Sequence, residues 1–165
     1  MRWQLAPVVV LVSLATLTTV AGCTVARPTG FDARTDATCG EAMMAVGDLD
    51  APADPAAGLR YALDRYVIVE KVVATVTDSA LPGGDAGRAL RDRWLRPARA
   101  SLRSGSDALR RLRDASRAND RAAAMSAFSA AAAAGATGVD LTLLVDRSLP
   151  RCAALFAAPA PATSW

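Results

Sequence analysis

The chain reads as an all-α protein, an up-down-up-down four-helix bundle with a short first helix, closed by one disulfide. Three observations predict it. Apolar residues recur at intervals of three or four over long stretches, the period of a helix with one buried face. The last three helical stretches are joined by short connections, which favours antiparallel neighbours. In that topology the start of helix one and the end of helix four share an end of the bundle, and Cys39 and Cys152 fall there.

The first helix is expected over about Thr38 to Leu49, with Met43, Met44 and Val46 as its apolar side. Asp50-Ala51-Pro52-Ala53-Asp54-Pro55 then interrupts the chain. Asp54 followed by Pro55 is a start signal: the aspartate can cap, and proline suits a first turn whose N–H groups have no intrahelical partner. The second helix runs to about Ser79 on Leu59, Leu63, Tyr66, Val69, Val73 and Val76. The β-branched density of Val67 to Val76 also suits a strand, but a run of more than 20 residues without turn residues favours helix. Leu81-Pro82-Gly83-Gly84 ends it and Asp85 caps the third helix, which extends to about Arg117. Its buried face is Leu90, Trp94, Ala98, Ser101, Gly105, Ala108, Leu109 and Leu112, and Pro97 within it should kink or split it. After Asn119-Asp120 the fourth helix carries Met125, Phe128, Ala132, Ala136, Val139 and Leu143. It is expected to continue through Gly135 and Gly138 to about Leu149, where Pro150 stops it. Residues 151–156 add a turn containing Cys152, and residues 157–165, rich in alanine and proline, are expected to be disordered.

The leader is the most specific signal. Met1-Arg2-Trp3-Gln4 is a short basic start, Leu5 to Val20 an apolar stretch, and Val20-Ala21-Gly22-Cys23 places small residues before a cysteine. A membrane-spanning helix needs about 20 predominantly apolar residues. Here Pro7 and four hydroxyl residues interrupt the run, and no basic cluster follows it. An ordinary secretory leader ends in an Ala-x-Ala type site instead. The pattern resembles the lipobox of bacterial lipoproteins. That resemblance implies cleavage before Cys23, acylation of Cys23 with palmitate-type chains, and anchoring on the extracytoplasmic face of the cell membrane. With Lys71 the single lysine and alanine abundant, the composition further resembles an actinobacterial envelope lipoprotein.

Cleavage divides the chain into a leader (1–22), a tether (23–37), a bundle domain (38–156) and a tail (157–165). The 143 residues left suffice for one domain with its own core. Loss of Arg2 takes the formal charge from +3 to +2, a near balance that argues against a nucleic-acid partner. With Cys23 assigned to lipid, Cys39 and Cys152 remain in an oxidising setting, where paired cysteines are normally bridged. The tether would then set the disulfide-bearing end of the bundle nearest the membrane.

Little in the sequence points to chemistry. The chain contains no histidine, which removes the commonest general base and metal ligand. Leu81-Pro82-Gly83-Gly84-Asp85 lacks the Lys-Ser/Thr of a phosphate loop, and no Asp-x-Asp calcium loop occurs. Neither a catalytic role nor a metal or cofactor is expected. Met43, Met44, Tyr61 and Tyr66 are residue types that can meet haem iron, but in helices they are ordinarily core.

Two charges break the helical pattern. At 100° per residue Glu70 falls with Leu59, Leu63 and Tyr66, and Arg91 falls between Ala98 and Leu102. Such charges sit at a bundle margin or pair with each other, or else they line an internal ligand cavity with Tyr66 and Trp94. The arginine series Arg93, Arg96, Arg99, Arg103, Arg110, Arg111 and Arg117 reads as a solvated face interrupted by aspartates, the other reading being an anion-binding surface. The expectation is a non-catalytic module that binds or organises an envelope partner, protein or lipid. The alternative is a carrier of an apolar or amphipathic ligand such as a lipid. A solid core favours the first, and an open apolar groove near Glu70, Tyr66 and Trp94 the second.

Overall fold

The computed structural model describes residues 30–158, 160–163 and 165. The lipobox, Cys23 and positions 23–29 of the expected tether lie outside them. The described residues form α1 (Gly30–Gly47), α2 (Pro55–Asp78), α3 (Gly84–Leu90), a π-helical turn (Arg91–Leu95), α4 (Arg96–Arg117), α5 (Arg121–Ala132), α6 (Leu141–Asp146) and α7 (Pro150–Ala157). Among them there is no strand.

Capping explains where several helices begin. The Asp54 carboxylate accepts the Ala57 N–H at 2.7 Å, with Pro55 behind it in the first turn. Asp120 does the same for Ala123 at the start of α5, and Asp140 for Leu143 at the start of α6. Each carboxylate satisfies an N–H group that the helix itself cannot, and sits favourably at the positive end of the helix dipole.

The chain direction alternates. Residues 38–45 of α1 face 68–75 of α2, and 48–51 face 57–64, an antiparallel pair. Tyr66 lies beside Gly105, and Val69 and Leu102 both flank Gly135, so α2 and α4 are also antiparallel. Along α2 and α5 the contacts advance together, Tyr61 meeting Phe128 and Arg65 meeting Ala132, so these two run parallel as alternation requires.

The core has two parts. One gathers Trp94, Leu90, Leu95, Leu144, Leu149, Leu155 and Phe156 around the Cys39–Cys152 disulfide and the valines of α2. Trp94 is fully buried, its ring edge-on to Phe156 at 5.8 Å. The other packs Ala62, Ala108, Ala124, Ala127, Ala131 and Ala132 around Tyr61, Leu112 and Phe128. Burying each large apolar side chain contributes roughly 1.5–3 kcal/mol, so the first part supplies more per residue.

The helical run is divided into α3, the π turn and α4, with Pro97 in the first turn of α4. Proline has no N–H to give the carbonyl four residues back, that of Arg93. The Asp140 N–H donates to the Arg93 carbonyl instead, at 3.0 Å, while the Arg93 guanidinium pairs with the Asp140 carboxylate. The extra residue in the π turn changes the phase of everything before it. Arg91 is therefore exposed, not on the apolar side where a uniform 100° per residue puts it.

Four expectations are corrected. Residues 30–37 are not tether: they are the first turns of α1, burying Phe31, Asp32 and Thr35, whereas Met43 and Met44 face solvent. With 18 residues α1 is longer than α5, so the first helix is not the short one. The fourth helix does not run on to Leu149. It stops at Ala132, because Gly135 and Gly138 adopt left-handed φ of 87° and 78°, and a Cβ on Gly135 would collide with Val69. Pro150 opens α7, and the described residues beyond it are not disordered: Ala160 and Trp165 pack on the alanine-rich cluster.

Candidate functional site

Between α2 and α4 the surface opens into a groove of about 340 Å³ that contains Tyr66 and Glu70. Val73 and Leu102 form its apolar floor. Glu70 and Asp78 stand on the α2 side, Arg99 and Arg103 on the α4 side. Arg99 and Arg103 are exposed and have no carboxylate within 4 Å among the described residues. Burial pushes the Tyr66 hydroxyl pKa above its ordinary value, and the Glu70 charge pushes it the same way. Tyr66 therefore stays neutral over any ordinary pH, able to donate and accept a hydrogen bond.

Of the four residues expected to line a ligand site, the structure brings together two. Tyr66 is half-buried and Glu70 exposed, both at the groove. Arg91 points to solvent elsewhere, and Trp94 is sealed in the disulfide-end core. Glu70 is not on a buried face, because the buried side of α2 is centred on other residues: Gly58, Tyr61, Ala62, Arg65, Val69, Val72, Val73 and Val76. Leu63 and Val67 are about half exposed, at 48% and 53%, and point away from that side.

Within α2 the buried charge is Arg65, only 2% exposed. Its Nε donates to the Ala132 carbonyl at 2.7 Å and Nη2 to the Ala158 carbonyl at 3.4 Å, while Nη1 has no partner. Burial lowers its pKa, and the nearby Tyr61 pushes the other way. The sequence held a signal for it, since Arg65 sits in the 58, 61/62, 65, 69, 72/73, 76 register. Reading only the largest apolar residues hid that register, because the real face is built partly of glycine and alanine.

A second constellation ties α1 to the far end of the chain. Beside the disulfide, whose cysteines are both fully buried, the Arg147 guanidinium spans both Asp32 oxygens at 2.9 and 3.0 Å. Asp36 accepts the Arg151 N–H at 2.8 Å. These groups fix geometry and offer no reactive atom. Among the described residues no cluster of three or more metal-ligating side chains occurs, and no helix is long and apolar enough to cross a membrane.

No family model matches the chain, and neither does any curated protein or solved structure.

Proposed function

We propose that the protein is a lipid-anchored envelope lipoprotein, non-catalytic, whose helical bundle binds or organises a partner on the extracytoplasmic side of the membrane. The observation that carries the binding reading is the solid interior. Trp94, where a carrier would need a cavity wall, is packed between Phe156 and the leucines of α3, α6 and α7. The groove at Tyr66 and Glu70 is open and edged with charges of both signs, a surface suited to contact more than to enclosing a lipid tail. Export is supported by the Cys39–Cys152 bridge, since disulfides persist in oxidising compartments. Anchoring rests on Val20-Ala21-Gly22-Cys23 and on the physics of acyl chains, two of which hold a protein stably where one does not.

The test is metabolic labelling with an alkyne fatty acid, followed by purification from the membrane and mass analysis of what accompanies the protein. The wild-type chain takes up label, and Cys23→Ser takes up none and leaves the membrane fraction. A labelled, membrane-bound Cys23→Ser chain overturns the anchor. A stoichiometric polypeptide partner supports the binding module. A stoichiometric lipid without a polypeptide overturns it in favour of the carrier, with the Tyr66–Glu70 groove as the place to look.

A further inference from the structure

Beyond α7, Ala160 and Trp165 pack against the cluster that α2 and α5 share. The Trp165 ring stands edge-on to Phe128 with centroids 5.7 Å apart, and Tyr61 also meets Phe128, at 6.0 Å. The indole occupies room that Gly58 leaves, for a Cβ there would lie 2.7 Å from Cζ2 of Trp165. About two helical turns further along α2, Arg65 reaches the Ala158 carbonyl. This surface is a slot with a place for one aromatic ring at one end and a guanidinium at the other.

The present occupant fits the slot by shape but not by charge. Arg65 Nη1 has no acceptor, the Trp165 Nε1 is buried and equally unpartnered, and no carboxylate pairs with Arg65 among the described residues. A buried donor left without an acceptor loses its hydration without compensation. A planar guanidinium is shaped to hold a carboxylate through two parallel hydrogen bonds, and Ala158 offers it a single neutral oxygen.

We propose that this slot is a docking site for a partner polypeptide segment bearing an aromatic side chain and a carboxylate, occupied here in cis by the chain's own Ala158 and Trp165. The inference rests on the partner-binding reading and adds the partner's chemistry. The incoming ring displaces Trp165 from Gly58 and Phe128, and the incoming carboxylate replaces the Ala158 carbonyl and engages Nη1. A tethered occupant acts at an effective concentration on the order of millimolar, so only a segment with the better charge match displaces it.

The experiment uses the full chain labelled with 5-fluorotryptophan and two synthetic peptides, one of residues 158–165 and one carrying Ala158→Asp. In the wild type the acidic peptide shifts the Trp165 fluorine resonance, assigned through Trp165→Phe, and binds about tenfold more tightly than the parent peptide. Trp165→Ala binds both peptides more tightly than the wild type does, Gly58→Val binds neither, and Arg65→Met loses the preference for the acidic one. Equal affinity of the wild type for the two peptides, or no saturable binding of the acidic peptide to a folded Trp165→Ala chain, overturns the proposal. Should a variant lose its helical circular dichroism, the wild-type titration decides alone: a Trp165 resonance unmoved by millimolar acidic peptide overturns it. A partner that co-purifies undiminished with a folded Gly58→Val chain overturns the slot and leaves the partner-binding reading standing.

Discussion

At one end of the bundle Trp94, Phe156, Leu144 and Leu149 fill a wide space between helices, and at the other Ala62, Ala108, Ala124 and Ala131 let α2, α4 and α5 close in around Phe128. The wide end is built from elements distant in sequence, α1 against α7, and it carries the disulfide and the Asp32–Arg147 pair. The narrow end is built on the α4–α5 hairpin, whose helices are joined through residues 118–120, and no disulfide crosses it. Crosslinks stand where chain connectivity does least, because closing a long loop costs the most entropy. Side-chain size follows the same division: large residues fill distance, and small ones remove it.

Replacing a large residue at the wide end is the severest way to break this contrast. Trp94→Ala leaves a hole behind the Phe156 ring and destabilises by about 3–5 kcal/mol, measured by denaturant unfolding. Cys39→Ser with Cys152→Ser removes a bridge between positions 113 apart. It costs about 2–5 kcal/mol, and hydrogen exchange shows α1 and α7 opening before the α4–α5 hairpin. If the hairpin opens first, the two halves are not separately secured. The narrow end fails in the opposite direction, by excess: Ala131→Leu forces apart the helices that close on this cluster and costs about 1–3 kcal/mol.

Arg65→Met sharpens the comparison at the seam between the halves. A cation without a carboxylate partner is replaced by an apolar chain of similar length, and stability rises by about 1 kcal/mol in thermal unfolding. A loss instead would show that the Ala132 and Ala158 carbonyls need their donor more than the core resists the charge. The smallest effect is at Asp140, whose carboxyl pKa is held below its ordinary value by the Leu143 N–H first and by Arg93 second. A depressed folded pKa means that this stabilisation is present above the ordinary carboxylate range and is lost as pH falls through the lower folded value. An acid titration of Asp140→Asn therefore shows a shallower loss of stability below that range than the wild type does.

Much of the fold was legible because it rests on local chemistry. Asp54-Pro55 announces the start of α2, and the spacing of Leu90, Trp94, Ala98, Ser101, Gly105, Ala108 and Leu112 matches the buried side of the third helical run. The pairing of Cys39 with Cys152 was legible from the cysteine count once Cys23 is set aside, and the bridge is present. What escaped depends on tertiary context. Gly135 and Gly138 keep a helical period in sequence yet adopt left-handed φ that no helix allows, and Val69 stands where a Cβ on Gly135 would sit. Leu63 has the right spacing and faces water, while Arg65 has the wrong chemistry and is buried. Periodicity weighted by residue size misplaces a face made of glycine and alanine, and with it went Glu70. Arg91 was misplaced by one extra residue in a turn, which no composition signal announces.

The bond between Cys39 and Cys152 also sets a timetable. A chain delivered amino end first exposes Cys39 113 positions ahead of Cys152, whereas α4 and α5 can pair once both have emerged. During that wait the other thiol in the chain is Cys23, sixteen positions upstream and much easier to reach. On the lipoprotein reading, transfer of a diacylglyceryl group would tie up the Cys23 sulfur as a thioether. Oxidation would then have a single product, with the anchor acting as a protecting group for the fold.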